Sequence, residues 1–197
     1  MNPRTPDIAD LGFKVGDHVC GFYTEGGSSL DDIVVRYVSQ GLQSGDKCYC
    51  FLDNTPSPSV QARIPLQLMK RENTLQFVPA DEAYVPDGSF SKDARMRGLE
   101  GLVQGALSEG YERVWCLGET SFLVRNAVDM KAWFAYEAEL NEYAPRYPQL
   151  IICLYNLDRF DGETVMNVLE THRRVFVNGI VIPNPYYIAA NQFPGGR

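Results

Sequence analysis

The fold is decided near the start of the chain, by the stretch DHVCGFYTEGGSSLDDIVVRYVSQGLQSGDKCYCFL at residues 17–52. Its first part, residues 17–23, is apolar enough for a buried strand, and residues 28–42 repeat apolar side chains at the spacing of a helix packed on a sheet. Residues 47–52 then return as a second strand. This order of strand, loop, helix and strand is the opening of nucleotide-binding α/β proteins, in which the loop holds phosphate.

The loop at residues 24–29, with the sequence TEGGSS, departs from that use. A phosphate loop combines backbone N–H groups with a lysine that precedes Ser or Thr. Glycines are present here, but the lysine is missing, and Glu25 adds a carboxylate where phosphate would lie. We therefore expect a degenerate phosphate loop on an ATPase-type scaffold that serves another purpose.

Length and charge narrow the class of protein. At 197 residues the chain fits one domain with a substantial core. Its 25 acidic and 18 basic residues give a formal net charge of −7, which disfavours nucleic acid and anionic membranes as partners. The N-terminus lacks the features of a secretory signal, and no apolar run approaches the roughly 20 residues that span a bilayer. We expect a cytoplasmic protein whose five cysteines are reduced and buried.

The rest of the chain alternates helices and strands. Residues 55–72 resemble a helix interrupted by prolines, and residues 80–90 a turn-rich loop with two exposed aromatics, long enough to act as a lid. Asn178 and Gly179, between two apolar runs, are a strong hairpin signal. Short apolar strands between amphipathic helices predict an α/β fold with a mostly parallel central sheet, helices on both faces and a C-terminal β-hairpin. The predicted elements beyond residue 52 are strands at 74–78, 113–117, 150–155, 175–177 and 180–182 and helices at 92–109, 129–143 and 161–172.

Polar side chains follow several of these strands where they end. In open α/β sheets ligands bind beyond the carboxyl ends of the strands, so residues distant in sequence should converge there. Glu119 is the strongest candidate, because the carboxylate that orients magnesium and water in phosphate-loop ATPases also follows an apolar strand. The alternative is a cap that accepts backbone N–H bonds. The residues at these strand ends are Tyr23, Glu25, Asp53, Asn54, Glu119, Ser121, Tyr155 and Asn156.

The helix at residues 129–143 carries a second signal. Glu137 and Asn141 fall on its apolar stripe, where packing on a core favours apolar side chains. A buried carboxylate is costly unless it is hydrogen-bonded or paired. We expect either a structural partner, such as Arg125 or a tyrosine hydroxyl, or a bound ligand.

Histidines and cysteines leave a metal site as an open alternative. His18 and Cys20 point to one face of the first strand, and such a pair can ligate zinc or copper. Neither belongs to a CxxC or HxxxH motif, and His172 lies on the apolar face of its helix, as a packing residue would. A metal site built from His18, Cys20, Cys153 or His172 is therefore not the main prediction, and we assign no metal, cofactor or catalytic residue.

A series of short blocks along the chain forms an ordered pattern. The run GDHVCGFY at residues 16–23 comes first, and the blocks together extend over residues 11–193. The later blocks are residues 41–48, GETSF at 118–122, YEAELN at 136–141, CLYN at 153–156, TH at 171–172 and PNPYY at 183–187. In this order they resemble the MEDS domain, a sensory domain of methanogens and methylotrophs named from a dichloromethane-responsive regulator.

The resemblance implies a RecA/KaiC-like domain with a degenerate phosphate loop, here as a flexible N-terminus at residues 1–12, a sensory domain at 13–193 and a tail at 194–197. It implies that the domain binds a small organic molecule, often a hydrocarbon derivative, and is not an enzyme. Family members are frequently fused to DNA-binding, histidine-kinase or anti-sigma modules. We expect none here, so the signal would pass to a separate histidine kinase, anti-sigma factor or transcription factor. Homo-dimerisation is expected by analogy with RecA-like domains.

Residues selected from their chemistry coincide with positions in these blocks, so we predict that they line one ligand pocket at the strand ends. One alternative is an enzyme, or a residual nucleotide or metal binder, that uses Glu119. Another is a RecA-like interaction module that acts through its surface. The nine predicted ligand-binding residues are His18, Cys20, Tyr23, Glu119, Ser121, Glu137, Asn141, Tyr155 and His172.

Overall fold

A central sheet organises the protein in a computed structural model, which describes residues 11–25, 29–69 and 71–189. Its strands are β1 (His18–Tyr23), β2 (Lys47–Leu52), β3 (Leu75–Pro79), β4 (Val114–Glu119), β5 (Gln149–Asn156), β6 (Arg174–Val177) and β7 (Ile180–Pro183). They form a seven-stranded sheet in the order β3-β2-β4-β5-β1-β6-β7. Every pairing is parallel except the antiparallel hairpin of β6 and β7.

Helices cover both faces of this sheet. They are α1 (Leu30–Ser44), α2 (Pro58–Gln61), α3 (Ala80–Tyr84), α4 (Lys92–Ser108), α5 (Phe122–Arg125), α6 (Met130–Tyr143) and α7 (Gly162–Thr171), with 3₁₀ turns at Leu66–Leu68 and Ala144–Arg146. The apolar side chains of α1 and α2 join the core on one face, and those of α3 to α7 join the core on the other. The predicted α/β architecture is therefore confirmed. Within the described residues no helix has both the length and the apolar character required to cross a bilayer.

The ends of α1 follow from its sequence. The Ser29 side chain accepts the backbone N–H of Asp32, which satisfies one of the free donors of the first turn. At the other end Gly45 adopts a left-handed conformation with a φ of 76°, and its N–H bonds the last carbonyls of the helix. These two caps fix where the chain leaves β1 and where it enters β2.

The C-terminal hairpin has the turn that the sequence predicts. Asn178 and Gly179 both have positive φ, 51° and 85°, as a two-residue turn between twisted strands requires. The hairpin extends the sheet beyond β1, which therefore lies between two parallel neighbours. The predicted bounds of β2, residues 47–52, also agree with the structure.

Of two predictions for the segment between β2 and α4, the first holds only in part and the second is wrong. The described residues of 55–72 form the short helix α2 and one 3₁₀ turn instead of a longer helix, because prolines remove the N–H groups that a longer helix needs. Residues 80–90 are not an open loop with two exposed aromatics, because they begin with α3. The Tyr84 ring is buried, stacked on Phe122 with 4.6 Å between centroids, and Phe90 is half-buried against Trp133.

The packed part of the chain begins earlier than predicted. Leu11, in the segment expected to be flexible, is buried in the core beside α1. Phe13 follows it and packs edge-on against Tyr37, with 5.4 Å between ring centroids. The remaining residues of the predicted flexible ends, 1–10 and 194–197, lie outside the described residues. All five cysteines are buried and unpaired, as expected.

The contact between α1 and the sheet gives a stability prediction. A Cβ at Gly41 would lie 2.5 Å from Cys48 Sγ and 3.1 Å from Trp115 Cγ. We expect Gly41→Ala to lower the free energy of unfolding by about 1–3 kcal/mol through overpacking. Gly101→Ala, inside α4, should instead raise it by up to about 1 kcal/mol through helix propensity, because an added Cβ would meet no described atom within 4 Å apart from its own helix backbone. Urea denaturation measures both, and a Gly41→Ala variant as stable as Gly101→Ala would contradict the close packing.

Candidate functional site

A carboxylate and a phenol meet at the carboxyl edge of the sheet. β4 and β1 flank β5, with Glu119 in register with Leu154 and Tyr23 in register with Asn156. Glu119 and Tyr23 leave their strands on the face covered by α1, and the Tyr23 hydroxyl donates to Glu119 Oε1 at 2.7 Å. This edge is where parallel sheets bind ligands.

The two oxygens of Glu119 have different surroundings. Oε1 accepts three hydrogen bonds, from the Tyr23 hydroxyl, from the Ser121 N–H at 2.9 Å and from Ser121 Oγ at 2.5 Å. Oε2 is buried and has no hydrogen-bond partner among the described residues. A buried carboxylate oxygen without a partner is costly, and either a proton on it or a donor that reached it would lower that cost.

Burial raises the pKa of the Glu119 carboxyl above its usual range, and the charge of Asp53 adds to this effect. The hydrogen bonds from Ser121 and Tyr23 act in the opposite direction without cancelling it. Burial and the Glu119 carboxylate also raise the pKa of the Tyr23 phenol, which therefore stays protonated as a donor.

Glu119 lines a cavity of about 430 Å³ at this edge. Among the described residues, the charged ones that line it are four carboxylates, Glu25, Asp31, Asp53 and Glu119, and one cation, Arg159. The apolar part of the wall comes from Leu30, Val34, Leu52 and Pro56. The cavity is thus part apolar and part acidic.

A second polar group lies inside the core, between the sheet and helices α6 and α7. Glu137 on α6 is fully buried, and its Oε2 lies 2.9 Å from His18 Nε2 and 3.0 Å from His172 Nε2. Its Oε1 accepts the Tyr155 hydroxyl at 3.0 Å. Cys153 on β5 places its Sγ 3.5 Å from His18 Nε2. We call His18, Glu137, Cys153 and His172 the buried quartet.

Neighbouring groups hold the outer nitrogen of each imidazole. His18 Nδ1 lies 3.3 Å from Asn141 Oδ1, while Asn141 Nδ2 donates to the Thr171 carbonyl at 2.5 Å. His172 Nδ1 lies 2.8 Å from the Val168 carbonyl oxygen. These contacts turn both Nε2 atoms toward Glu137.

Charge and burial shift the pKa values of the quartet in different directions. Burial would raise the pKa of Glu137, but His172 and His18 outweigh it and hold that pKa well below its usual range. Burial, with the charge of His172, lowers the pKa of His18. Burial and the Glu137 carboxylate raise the pKa of the Cys153 thiol.

The structure does not bring the nine predicted residues into one pocket. Successive side chains of a strand point to opposite faces, so His18 and Tyr23 leave β1 on different sides of the sheet. Only Tyr23, Glu119 and Ser121 line the strand-end cavity. The residues in or around the buried quartet are His18, Cys20, Glu137, Asn141, Tyr155 and His172.

Of the two structural partners expected for the Glu137 carboxylate, Arg125 or a tyrosine hydroxyl, the structure shows the tyrosine. It is the Tyr155 hydroxyl, not Arg125, which instead bonds Asp53 and Asp81 across the surface. Cys20 shares the face of His18, but its Sγ is directed to the Arg174 carbonyl at 3.9 Å.

Sequence reasoning missed several residues of these sites, among them Arg159 and Trp133. Arg159 reaches the strand-end cavity from just beyond β5, and its position after a strand was the available signal. Trp133 donates to the Tyr155 hydroxyl at 3.0 Å and thereby orients the donor to Glu137. It lies one helical turn before Glu137, so the helix period could have indicated it.

A family model described as "MEDS: MEthanogen/methylotroph, DcmR Sensory domain" matches residues 17–173, a span that includes both groups of polar residues. The chain belongs to the MEDS family. No curated protein matches the chain significantly. Among solved structures, the flagellar accessory protein FlaH from Methanocaldococcus jannaschii is similar with a TM-score of 0.50 and 12% identity, covering 84% of this chain and 75% of FlaH. FlaH is RecA-like, and this similarity concerns the fold alone.

The degenerate phosphate loop stays a prediction for this MEDS chain. Residues 26–28, which carry its two glycines, lie outside the described residues. On the described side of the loop, the Glu25 N–H bonds Asp158 Oδ2 at 2.7 Å.

The hydrogen bond between Tyr23 and Glu119 can be tested by removing one hydroxyl. Tyr23→Phe leaves Glu119 with one donor fewer in a buried place, so we expect a loss of about 1–3 kcal/mol in the free energy of unfolding. Tyr186→Phe is the matched control, because the Tyr186 side chain is exposed. Chemical denaturation at neutral pH measures both variants, and equal stabilities would argue against the bond.

The raised pKa of Glu119 gives a pH prediction. The folded protein holds the proton of the Glu119 carboxyl more tightly than the unfolded chain does. Protonated Glu119 therefore contributes its full stabilisation below the unfolded pKa, and this stabilisation is lost as the pH rises through the folded pKa. Relative to Glu119→Gln, which does not titrate, the wild type should lose stability across that interval, by about 1.4 kcal/mol per unit of pKa shift. Denaturation of both proteins from pH 4 to pH 8 measures the difference. A difference that is constant with pH would contradict the assignment.

Proposed function

We propose that this MEDS domain senses a small organic molecule that binds in the strand-end cavity through an apolar part and a hydrogen-bond donor. The single observation that carries the proposal is the buried Oε2 of Glu119, which lacks a partner among the described residues while Oε1 has three donors. A hydroxyl or amine of the ligand would supply the missing donor.

The size and charge of the cavity support this ligand class. About 430 Å³ lies at the small end of the range for small-molecule sites. Its four carboxylates and single described arginine repel a polyphosphate and favour a neutral or cationic molecule. A hydrocarbon chain with one polar end, such as a short alcohol or amine, fits the apolar wall and the acidic end together.

The signal needs a route from the cavity to the surface. Arg125 bonds Asp53 of the cavity wall at 2.6 Å and Asp81 of α3 at 2.7 Å. Exposed ion pairs of this kind contribute about 0–1 kcal/mol, so a ligand that engages Asp53 can rearrange them at little cost. The bridge replaces the lid expected at residues 80–90 as the element that would respond to the ligand.

The recipient of the signal is proposed from the family alone. A sensory domain acts on a partner, and we propose a separate histidine kinase, anti-sigma factor or transcription factor, with a second copy of this chain as a further candidate. The buried, unpaired cysteines support a reducing compartment such as the cytoplasm.

The ligand class can be tested with three probes that share a butyl chain. Butan-1-ol and butan-1-amine offer a donor to Glu119, whereas 1-chlorobutane does not. We expect the donor-bearing probes to stabilise the protein against heat, by about 2.7 kcal/mol at a hundredfold excess over the dissociation constant, and 1-chlorobutane to bind more weakly. Equal binding of all three probes would mean that Glu119 does not take part in ligand recognition.

Glu119→Gln completes this test. Loss of a hydrogen bond to a charged group corresponds to about 1.5–3 kcal/mol, so the affinity for butan-1-amine should fall about 10- to 100-fold. Glu163→Gln, the same change at an exposed position on α7, is the control and should bind as the wild type does. Saturable binding of magnesium–ATP by calorimetry, without binding of the butyl probes, would favour the nucleotide-binding alternative instead.

A further inference from the structure

We propose that the buried quartet of His18, Glu137, Cys153 and His172 binds one divalent transition-metal ion, and that zinc is the ion whose preferences it fits best. The inference goes beyond the sensing of an organic molecule, because the quartet lies on the opposite face of the sheet from Tyr23. Imidazole nitrogen, thiolate sulfur and carboxylate oxygen are the three donor types of protein zinc sites.

The separations within the quartet are close to those of a tetrahedral site. Bonds of about 2.0–2.3 Å to a tetrahedral zinc place the ligand atoms about 3.3–3.7 Å from one another. In the quartet, Glu137 Oε2 lies 2.9 Å and 3.0 Å from the two Nε2 atoms, and Cys153 Sγ lies 3.5 Å from His18 Nε2. All four ligand atoms lie within 4.8 Å of one another. Small outward rotations of these side chains would admit the ion.

Hydrogen bonding around the imidazoles determines where their lone pairs point. The Val168 carbonyl can only accept, so His172 Nδ1 carries a proton, and whenever His172 is neutral its lone pair lies on Nε2. Asn141 donates its amide to the Thr171 carbonyl, which leaves Oδ1 to accept from His18 Nδ1. In their neutral form both histidines therefore present Nε2 lone pairs to the interior of the quartet, as metal ligands do.

The facing atoms of Glu137 and His172 lack a well-directed hydrogen bond. Glu137 Oε2 and His172 Nε2 lie 3.0 Å apart, yet among the described residues neither has a hydrogen bond of acceptable angle. A carboxylate oxygen that faces two imidazole nitrogens is stabilised by a positive charge, which is either a proton on an imidazole or a metal ion between the three atoms. A divalent ion would supply that positive charge to Glu137 Oε2, His172 Nε2 and His18 Nε2 together.

The charges balance when the ion binds. Glu137 contributes one negative charge, and the Cys153 thiol contributes a second when it releases its proton to solvent and forms the metal–sulfur bond. The two imidazoles bind as neutral ligands. The site then holds two positive and two negative charges, which a buried position tolerates far better than a net charge.

Four protein ligands on four elements define a closed, structural site rather than a catalytic one. β1 supplies His18, β5 supplies Cys153, α6 supplies Glu137, and His172 caps the end of α7. The ion would join two central strands to two helices. The Tyr155 hydroxyl, bonded to Glu137 Oε1, holds the carboxylate so that Oε2 faces the other ligands.

The test is titration of the full chain, treated with a chelator, with cobalt(II) as a coloured substitute for zinc. We expect one equivalent to bind, with the visible bands of tetrahedral cobalt and a thiolate-to-cobalt charge-transfer band, and zinc to displace it. Cys153→Ser should abolish the charge-transfer band. Cys20→Ser is the matched control, since Cys20 is equally buried on the neighbouring strand but outside the quartet, and should keep the band.

A conservative change beside the ligands separates metal binding from packing. Asn141→Ala frees His18 Nδ1, and the loss of such an orienting partner weakens zinc typically 10- to 100-fold. The loss for His172→Gln should be at least as large. Circular dichroism of each variant reports its fold. If Cys153→Ser does not fold, the wild-type charge-transfer band and its persistence in Cys20→Ser decide.

Two results would overturn the proposal. One is a folded wild-type protein that binds neither cobalt nor zinc stoichiometrically. The other is a bound metal whose spectrum lacks the thiolate band or loses it in Cys20→Ser. Neither result bears on the strand-end cavity, because Glu119→Gln and the butyl probes test that site independently.

Discussion

Alternation of side chains along β1 is the constraint on which both polar sites depend. β1 lies between β5 and β6 near the middle of the sheet, so both of its faces are buried. His18 and Cys20 point toward α6 and α7, while Tyr23 points toward α1 and closes on Glu119. One six-residue strand therefore supplies a residue to the buried quartet at its start and a residue to the strand-end cavity at its end.

The two buried glutamates show how surroundings assign different roles to the same side chain. Glu137 has a donor on Oε1 and an imidazole on each side of Oε2. The two imidazoles outweigh the cost of burial and lower the pKa of Glu137. Glu119 has its donors on one oxygen only, so burial wins and its pKa rises. The first arrangement is enclosed on all sides by the protein. The second leaves an acceptor beside a cavity, which is the arrangement a ligand can complete.

Sequence reasoning predicted the architecture well because the fold depends on periodicity. The apolar runs of β2 and β5 and the Asn178 and Gly179 turn are local signals, and the structure agrees with them. The burial of Tyr84 was missed because it depends on Phe122 and Trp133, which are distant in sequence. The prediction of one pocket was wrong because it considered only the strand at which each residue lies and not the face to which its side chain points. Two residues at an odd separation on one strand point to opposite faces. Sequence reasoning named Cys153 only within an alternative metal site, since a single cysteine in an apolar strand looks the same whether it packs or ligates.

Stability alone does not account for the buried quartet. Replacing a buried ionic group by apolar side chains of similar volume is often neutral or stabilising by about 1–4 kcal/mol. A core that already contains Trp133, Tyr155 and the aromatic cluster beside them has no need of a carboxylate for cohesion. Apolar side chains cannot bring two imidazole nitrogens, a carboxylate oxygen and a sulfur close together. In the quartet, a hydrogen bond orients each imidazole and the carboxylate, and β5 positions the sulfur. The donor set therefore argues for recognition of a cation, with the fold as the frame that keeps four elements at the required separation.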